Sequence, residues 1–422
     1  MIMATRQTIR IDDLKAPVLT AVQRDAVAAA EGASLDLTVD GVLHAAREEA
    51  RLEDFGPDDF VERLQLLLDV VAWEGHTRLT QVSAFRRIVN KAVNRLLAHD
   101  LLKRHPEIRE EPIEAPVFVT GLPRSGTTHL LNLIAADSRF QSMPYWQVLR
   151  PVPRLPEEAI GADGVDPRYT AAEAVWEAMQ RMNPYLSAFH VMDPDHISED
   201  GELQMQDFSS YVWEFSLWAS ALRDYYLAHD QTPHYEYQKV MMQILQWQRG
   251  TRLRWITKAP QHLEQLVPIM NVFPDALVVF THRDPVASLQ SIATSTAYAS
   301  RLRDREPDPS RNLEYWADRY ERLLNAYLRD IETVPESQRF DVLYREFVGD
   351  DVGMVERIYR TAGLKMTPVA RTELDEYMAA HPQGHAGRVA FDLRGDFGVE
   401  PADIRARYRA YTDVLPVGVE VK

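Results

Sequence analysis

Apolar residues along the chain follow two alternating patterns from about residue 116 onward. Short runs rich in apolar residues, which predict buried parallel strands, occur at residues 116–120, 253–258, 276–281 and 340–344, and the run at 276–281 is almost wholly apolar. Apolar residues at three- and four-residue intervals predict helices at about residues 170–182, 201–229, 236–248, 312–333, 351–362, 367–380 and 402–413. Strands that alternate with helices in this way predict an α/β fold with a central parallel sheet.

The first part of the chain has a different pattern. Helical spacing recurs at residues 39–53, 60–73 and 84–102, with turn signals between these segments. We therefore predict a helical N-terminal extension over residues 1–112, followed by a P-loop-like, three-layer α/β domain over residues 113–422. No run of about 18 apolar residues occurs, so a membrane span is not expected.

Composition and charge narrow the classes of ligand. Of the 422 residues, 45% are hydrophobic and 26% are charged, as in a soluble globular protein. The net charge of −16 disfavours nucleic-acid binding and means that an anionic ligand needs local cations. The chain has no cysteine, and its first residues lack the apolar core of a secretory signal. We expect a cytoplasmic protein with a small-molecule partner and no membrane partner; a homo-oligomer is left open.

The first predicted strand is followed by a loop rich in glycine and proline and then by a helix. This layout lets loop amides and a helix N-terminus hold a phosphate. Residues 121–128, GLPRSGTT, are close to the pattern G-x-x-x-x-G-K-[S/T], but Thr127 stands where a nucleoside triphosphatase has its lysine. A cation lies inside the loop instead, at Arg124. The segment therefore predicts a phosphate-binding protein that is not an ATPase.

Two further strand ends carry cations. The second strand ends in Lys258, with His262 four residues later, and the third is followed by Arg283. Because ligands of parallel sheets bind beyond the carboxyl ends of the strands, we expect these residues and Arg124 to form one anion site. Arg283 and Ser291, on the helix that follows, are suited to grip one phosphate.

These blocks resemble the cytosolic and protein-tyrosine sulfotransferases, which use 3′-phosphoadenosine 5′-phosphosulfate (PAPS). In that family P-[K/R]-S-G-T-T holds the 5′-phosphosulfate, and an arginine followed eight residues later by a serine holds the 3′-phosphate. Residues 258–263 and 282–285, K-x-P-x-H-L and H-R-D-P, are similar to a large bacterial branch. The resemblance implies these cofactor-binding residues: Arg124, Ser125, Gly126, Thr127, Thr128, Arg283, Ser291 and, beside the adenine, Tyr344.

The resemblance also implies a reaction. A sulfuryl group would move from PAPS to a hydroxyl or amine of a small acceptor, leaving adenosine 3′,5′-bisphosphate (PAP), and no metal is required. Arg124 and Lys258 would stabilise the charge that develops on the bridging oxygen. A base would remove the acceptor proton, and in this branch the position is not fixed, because Pro260 stands where cytosolic members have their histidine. We predict His262 as the base, with His196 and Glu199 as the other candidates.

Other segments add secondary expectations. The aromatic-rich residues 201–229 and the proline- and aromatic-rich residues 143–156 favour a partly apolar acceptor pocket. The glycine-rich residues 381–396 predict a flexible loop in which Arg388 is a further candidate for anion binding. Metal-ligand spacing is not apparent. Two alternatives remain, a P-loop small-molecule kinase, which the missing lysine disfavours, and a non-catalytic nucleotide-binding protein.

Overall fold

The computed structural model describes residues 8–154, 164–217, 219–382 and 387–422. Strands in this part of the chain are β1 Thr8–Arg10, β2 Val117–Gly121, β3 Phe140–Gln141, β4 Arg254–Lys258, β5 Leu277–His282, β6 Arg339–Leu343 and β7 Arg388–Ala390. Helices up to the end of β4 are α1 Ala21–Glu31, α2 Val39–Ala50, α3 Phe60–Val71, α4 Arg78–Arg104, α5 Thr127–Ala135, α6 Tyr145–Leu149, α7 Pro167–Met182, α8 Leu186–Phe189, α9 Gly201–Gln204, α10 Tyr211–Ser216, α11 Ser220–Ala228 and α12 Thr232–Arg249. The later helices are α13 Leu266–Val272, α14 Pro285–Arg303, α15 Pro309–Asp330, α16 Tyr344–Phe347, α17 Asp351–Thr361, α18 Pro368–Ala380, α19 Leu393–Phe397, α20 Pro401–Arg407 and α21 Arg409–Thr412.

A five-stranded parallel sheet in the order β3-β4-β2-β5-β6 forms the centre of the fold. β2 is the middle strand, and Val117 pairs with Ile256 of β4 on one side and Leu277 of β5 on the other. All residues of β2 and β5 are buried, which explains why their sequences are continuous apolar runs. The α/β fold with a central parallel sheet that the sequence predicts is thus confirmed.

The sheet is covered on both faces. Val117 and Val119 point into a hydrophobic cluster with α5, α17 and α18, whereas Phe118 belongs to a larger cluster with α14 and α15. Successive residues of a strand point to opposite faces, so one strand contributes to both clusters. The result is a three-layer arrangement with all the carboxyl ends of the strands at one edge.

The N-terminal helices share the larger hydrophobic cluster. Val42 of α2, Leu64 of α3 and Val93 of α4 lie in it together with Trp213 and Leu245 from the α/β part of the chain. The division at residue 112 therefore crosses a continuous core, and its meaning as a domain boundary stays a prediction. Among the described helices, none combines the length and the apolar character that crossing a bilayer requires. The cytoplasmic location expected from the sequence also stays a prediction.

Three local features differ from the pattern in the sequence. The single helix expected over residues 201–229 is divided into α9, α10 and α11, because Phe208 has a left-handed backbone (φ 56°) and the Ser210 side chain caps a new helix at Val212. β3, two residues long, is too short to give a pattern. The loop expected after residue 381 contains β7, which pairs with β1, and α19; residues 383–386 of that loop lie outside the described residues.

Candidate functional site

Glycine is required at two positions, one at the end of β2 and one in the loop that leads to α5. Gly126 has φ 94°, and a Cβ atom there would lie 3.0 Å from the ring of Tyr344. At Gly121 a Cβ atom would lie 2.2 Å from the hydroxyl of Thr281 in β5. The loop motif therefore packs closely against β5 and α16, and these close contacts explain why it has glycine at both positions.

The hydroxyl of Ser125 holds the loop together from within. It donates to the carbonyl of Leu122 at 2.6 Å and shares a hydrogen bond of 2.7 Å with the hydroxyl of Thr281. Ser125 is fully buried, so its side chain has a structural partner on each side. Ser125 can therefore contact a ligand through its backbone and not through its side chain.

The first turn of α5 begins immediately after this loop. Gly126 is the N-cap residue, and no side chain caps the helix. Thr127 and Thr128 occupy the first two helical positions. Because the first amides of a helix have no partners within it, and the helix dipole favours negative charge there, this end of α5 is suited to bind an anion.

Two arginines and a serine come together beside the loop, as the sequence predicts. The Nε of Arg124 donates to Ser291 Oγ at 3.1 Å, and its Nη1 donates to the carbonyl of Phe189 at 2.7 Å. Arg283 donates from Nη1 to the carbonyl of Arg124 at 2.8 Å and lies with its guanidinium 4.2 Å above the ring of Tyr344. Burial lowers the pKa of Arg124, and the neighbouring charge of Arg283 acts in the same direction. Two adjacent cations in a strongly acidic chain indicate an anion site.

The end of β4 carries an acid–base pair that is partly open to solvent. The ammonium group of Lys258 forms a short ion pair with the carboxylate of Glu199. The side chain of Lys258 is 2% exposed, whereas that of Glu199 is 27% exposed. The two segments are also joined by their backbones, since the amide of Asp200 donates to the carbonyl of Lys258 at 3.2 Å.

His262 lies in the interior behind this pair. Its Nδ1 is 2.7 Å from the hydroxyl of Tyr235, its Nε2 is 2.9 Å from Asp200 Oδ2, and its ring packs edge-on against Phe118. The side chains of His262 and Asp200 are both 0% exposed, and Gln238 donates to the same carboxylate oxygen at 2.9 Å. Burial acts to raise the pKa of Asp200, but His262 and the neighbouring hydrogen-bond donors, Gln238 among them, together outweigh it, so the pKa lies below its ordinary value. Both ring nitrogens of His262 already have partners.

Two histidines, His190 and His196, lie close to Lys258, and the sequence pattern does not indicate the first of them as a site residue. The rings of His190 and His196 meet edge-on with centroids 5.0 Å apart. Burial and the charge of Lys258 lower the pKa of His196 to about 4, and the pKa of His190 is lowered by burial, by His196 and by the charges of Lys258 and Arg124. Both imidazoles are therefore neutral at neutral pH. His190 follows no strand, so strand-end reasoning could not find it.

Arg388 is the last of the residues that the sequence predicts to bind an anion. Arg388 is exposed at the start of β7, where its backbone pairs with Thr8. Its role in anion binding stays a prediction.

Within residues 8–154, 164–217, 219–382 and 387–422, no group of three or more histidine, aspartate or glutamate side chains is arranged to hold a metal ion.

The fold and the site define an α/β protein that binds an anionic ligand where its parallel strands end. Residues 116–368, well over half of the chain, match the profile of a protein family described as the sulfotransferase family. No curated protein matches the sequence. The chain belongs to the sulfotransferase family.

Two solved structures are similar over most of their length. Sulfotransferase STF1 from Mycobacterium tuberculosis H37Rv is 28% identical, with a TM-score of 0.77 over 88% of this chain and 98% of its own. Sulfotransferase STF9 from Mycobacterium avium is 25% identical, with a TM-score of 0.81 over 92% of this chain and 100% of its own. The protein is therefore an enzyme, a PAPS-dependent sulfotransferase. The glycine-lined loop and adjacent guanidinium groups fit a nucleotide with charged groups at both its 5′ and 3′ positions.

Proposed function

We propose that this sulfotransferase transfers the sulfuryl group of PAPS to a hydroxyl or amine of a small, partly apolar acceptor, with Glu199 as the base. The observation that carries the proposal is the Glu199–Lys258 pair. It combines a carboxylate that solvent and ligands can reach with a buried cation at the end of β4. A carboxylate within reach of a ligand and beside a buried cation is placed as general-base catalysis requires.

The nucleotide is proposed to lie along the two arginines. Arg124 and the first amides of α5 would hold the 5′ end, because both lie at the phosphate loop. Arg283 and Ser291 would hold the 3′-phosphate, and Tyr344, whose ring lies 4.2 Å below the guanidinium of Arg283, would lie beside the adenine. The contact between Arg124 Nε and Ser291 Oγ, 3.1 Å, supports this because it brings the two motif blocks together.

Glu199 and Lys258 have complementary roles in the proposed chemistry. PAPS supplies the sulfuryl group, and PAP is the product that leaves. Glu199 takes the proton of the acceptor hydroxyl as the new S–O bond forms, a role that contributes about 10²–10⁴ to the rate. Protonation removes the negative charge that pairs with Lys258, so its ammonium group becomes available to the bridging oxygen on which charge accumulates.

This assignment changes the order of the candidates for the base. His262, which the sequence favours, has both ring nitrogens bonded inside the protein and is 0% exposed, so we propose that it positions the segment that carries Glu199. Its partner Asp200 adjoins Glu199 in the chain. His196 and His190 lie beside Lys258 in neutral form and would line the site next to the reacting groups.

Aromatic side chains beside Arg124 support a partly apolar acceptor. Phe189, whose carbonyl accepts from Arg124, has its ring 6.0 Å from that of Tyr298, which in turn lies 5.5 Å from the ring of Tyr185. Phe189 and Tyr298 are buried and Tyr185 is exposed, so this aromatic group reaches the surface only at Tyr185. A wall of this kind, mostly apolar with a few polar groups, is typical of small-molecule sites.

Nucleotide stabilisation and sulfate transfer test the proposal. PAP at about 100 times its dissociation constant should stabilise the protein by ~2.7 kcal/mol, which a thermal-shift assay measures, whereas ATP with magnesium should stabilise it much less. Equal stabilisation by both nucleotides would contradict the proposed cation assignments. Sulfate transfer from PAPS to a panel of phenols, alcohols and amines then identifies the acceptor class, and transfer only to fully polar acceptors would contradict the apolar surface.

A further inference from the structure

The C-terminal segment of the chain reaches the cation that is proposed to bind the 3′-phosphate. The carboxylate of Glu420 accepts hydrogen bonds from Arg283 Nε at 2.9 Å and from Nη2 at 2.7 Å. The remaining Nη1 of Arg283 donates to the carbonyl of Arg124. Glu420 thus occupies the forked edge of the guanidinium, the edge with which arginine binds a phosphate.

The backbone of this segment is anchored independently of the Glu420 side chain. Asp284 Oδ2 accepts from the amides of Glu420 at 2.8 Å and Val421 at 3.3 Å, while Asp284 Oδ1 caps α14 at the amide of Val286. Arg405 of α20 donates to the carbonyl of Val421 at 2.5 Å. The side chain of Glu420 is itself 36% exposed. It can therefore rotate away from Arg283 while the segment stays in place.

We infer that Glu420 is a built-in competitor for the 3′-phosphate and so determines the affinity and selectivity of the nucleotide site. This inference rests on the proposed role of Arg283. The ion pair is partly open to solvent, with the side chain of Arg283 21% and that of Glu420 36% exposed, so its single carboxylate is held weakly and a doubly charged phosphate displaces it. A nucleotide without a 3′-phosphate leaves the Glu420–Arg283 pair intact. When PAP leaves, the carboxylate returns to Arg283, which favours product release.

Calorimetry with PAP and with adenosine 5′-phosphate measures this competition. Glu420→Gln removes the competing charge. The variant should bind PAP about three- to tenfold more tightly, because a carboxylate of the protein no longer occupies part of the free sites. Binding of adenosine 5′-phosphate should not change. Asp413→Asn is the matched control, because it removes the same charge from an exposed position of the same C-terminal segment and should bind PAP as the wild type does.

A second pair of variants separates this inference from the proposed site. In an Arg283→Ala background, Glu420→Gln should have no effect on PAP affinity, since the two residues act through one contact. If Arg283→Ala leaves PAP affinity unchanged, the assignment of the 3′-phosphate site is wrong and the inference falls with it. If Arg283→Ala weakens PAP binding but Glu420→Gln binds PAP no more tightly than the wild type, the assignment stands and the competition is refuted.

Discussion

Two adjacent acid–base pairs join the same two segments of the chain and have opposite surroundings. Glu199 pairs with Lys258, and the next residue, Asp200, pairs with His262 four positions after Lys258. The carboxylate of the first pair is 27% exposed, whereas both members of the second are 0% exposed. A histidine or carboxylate near a strand end is therefore not by itself a catalytic group: the pair that is open to ligand is suited to react, and the closed pair to hold the first in position.

The largest effect is expected from removing one member of the buried Asp200–His262 pair. His262→Ala leaves the buried carboxylate of Asp200 without the imidazole that bonds to it, and removing a hydrogen-bond partner from a buried charged group costs about 1–3 kcal/mol or more of folding stability. Urea denaturation followed by circular dichroism measures the loss. Turnover per folded molecule should fall by much less than in Glu199→Gln, because the backbone bond between Asp200 and Lys258 still helps to position Glu199. A stable His262→Ala variant would show that the pair is not structural.

Its control and its pH dependence follow from the same geometry. His234→Ala breaks a second buried histidine–aspartate pair, with Asp207, and should lose less stability, because Arg63 and Arg95 still bind that carboxylate. The pKa of Asp200 is lowered in the folded protein, so the contribution of its pair is present above the ordinary aspartate pKa of about 3.9 and is lost as the pH falls below it. The stability difference between the wild type and His262→Ala should therefore shrink on acidification. A difference that grows towards acid pH would contradict this sign.

A smaller effect, on binding rather than on stability, is expected from Arg283→Ala. A charge-assisted hydrogen bond to phosphate contributes roughly 1.5–3 kcal/mol, so PAP affinity should fall by about one to two decades, while adenosine 5′-phosphate binding stays nearly the same. Calorimetry with both nucleotides measures the selectivity. Arg371→Ala, which removes an exposed arginine from a surface pair with Asp375 on α18, is the control. Unchanged selectivity would remove Arg283 from the nucleotide site.

The smallest effect is expected from Ser291→Ala. Its hydroxyl, which lies 3.1 Å from Arg124 Nε, is a neutral donor, and a typical hydrogen bond contributes about 0.5–1.5 kcal/mol, so PAP affinity should fall by only a few fold. Ser295→Ala, one turn further along α14, removes a hydroxyl that bonds the helix backbone and should leave PAP affinity unchanged. Equal loss in the two serine variants would mean that the effect comes from the helix and not from the nucleotide.

The phosphate side of the site could be predicted from the sequence because its residues belong to contiguous elements. The motif of residues 121–128 places Arg124 and Gly126 in one turn, and the eight-residue interval between Arg283 and Ser291 places both at the start of one helix. Parallel strand order then brings the two blocks together at the sheet edge. The spacing of residues within each motif and the parallel order of the strands were therefore enough to predict which residues lie together.

The base side could not be predicted in the same way. Glu199 and His190 lie in segments between α7 and α9 whose positions depend on tertiary contacts, such as the bond between Arg124 and the carbonyl of Phe189. The sequence also places His262 near the strand end. It does not show that Tyr235, 27 positions earlier, and Asp200 each form a hydrogen bond with one of its two ring nitrogens. Accessibility, which separates the two pairs, is a property of packing and not of spacing.

The most direct test compares turnover when each pair is altered without removing its volume. With saturating PAPS and an acceptor from the panel, Glu199→Gln should lose turnover by ~10²-fold or more, because glutamine cannot take the proton, while PAP affinity is unchanged or tighter. His262→Gln, and the control Asp195→Asn in the same acidic segment, should keep turnover near that of the wild type. Near-normal turnover in Glu199→Gln together with loss of turnover in a folded His262→Gln would contradict the account and identify His262 as the base.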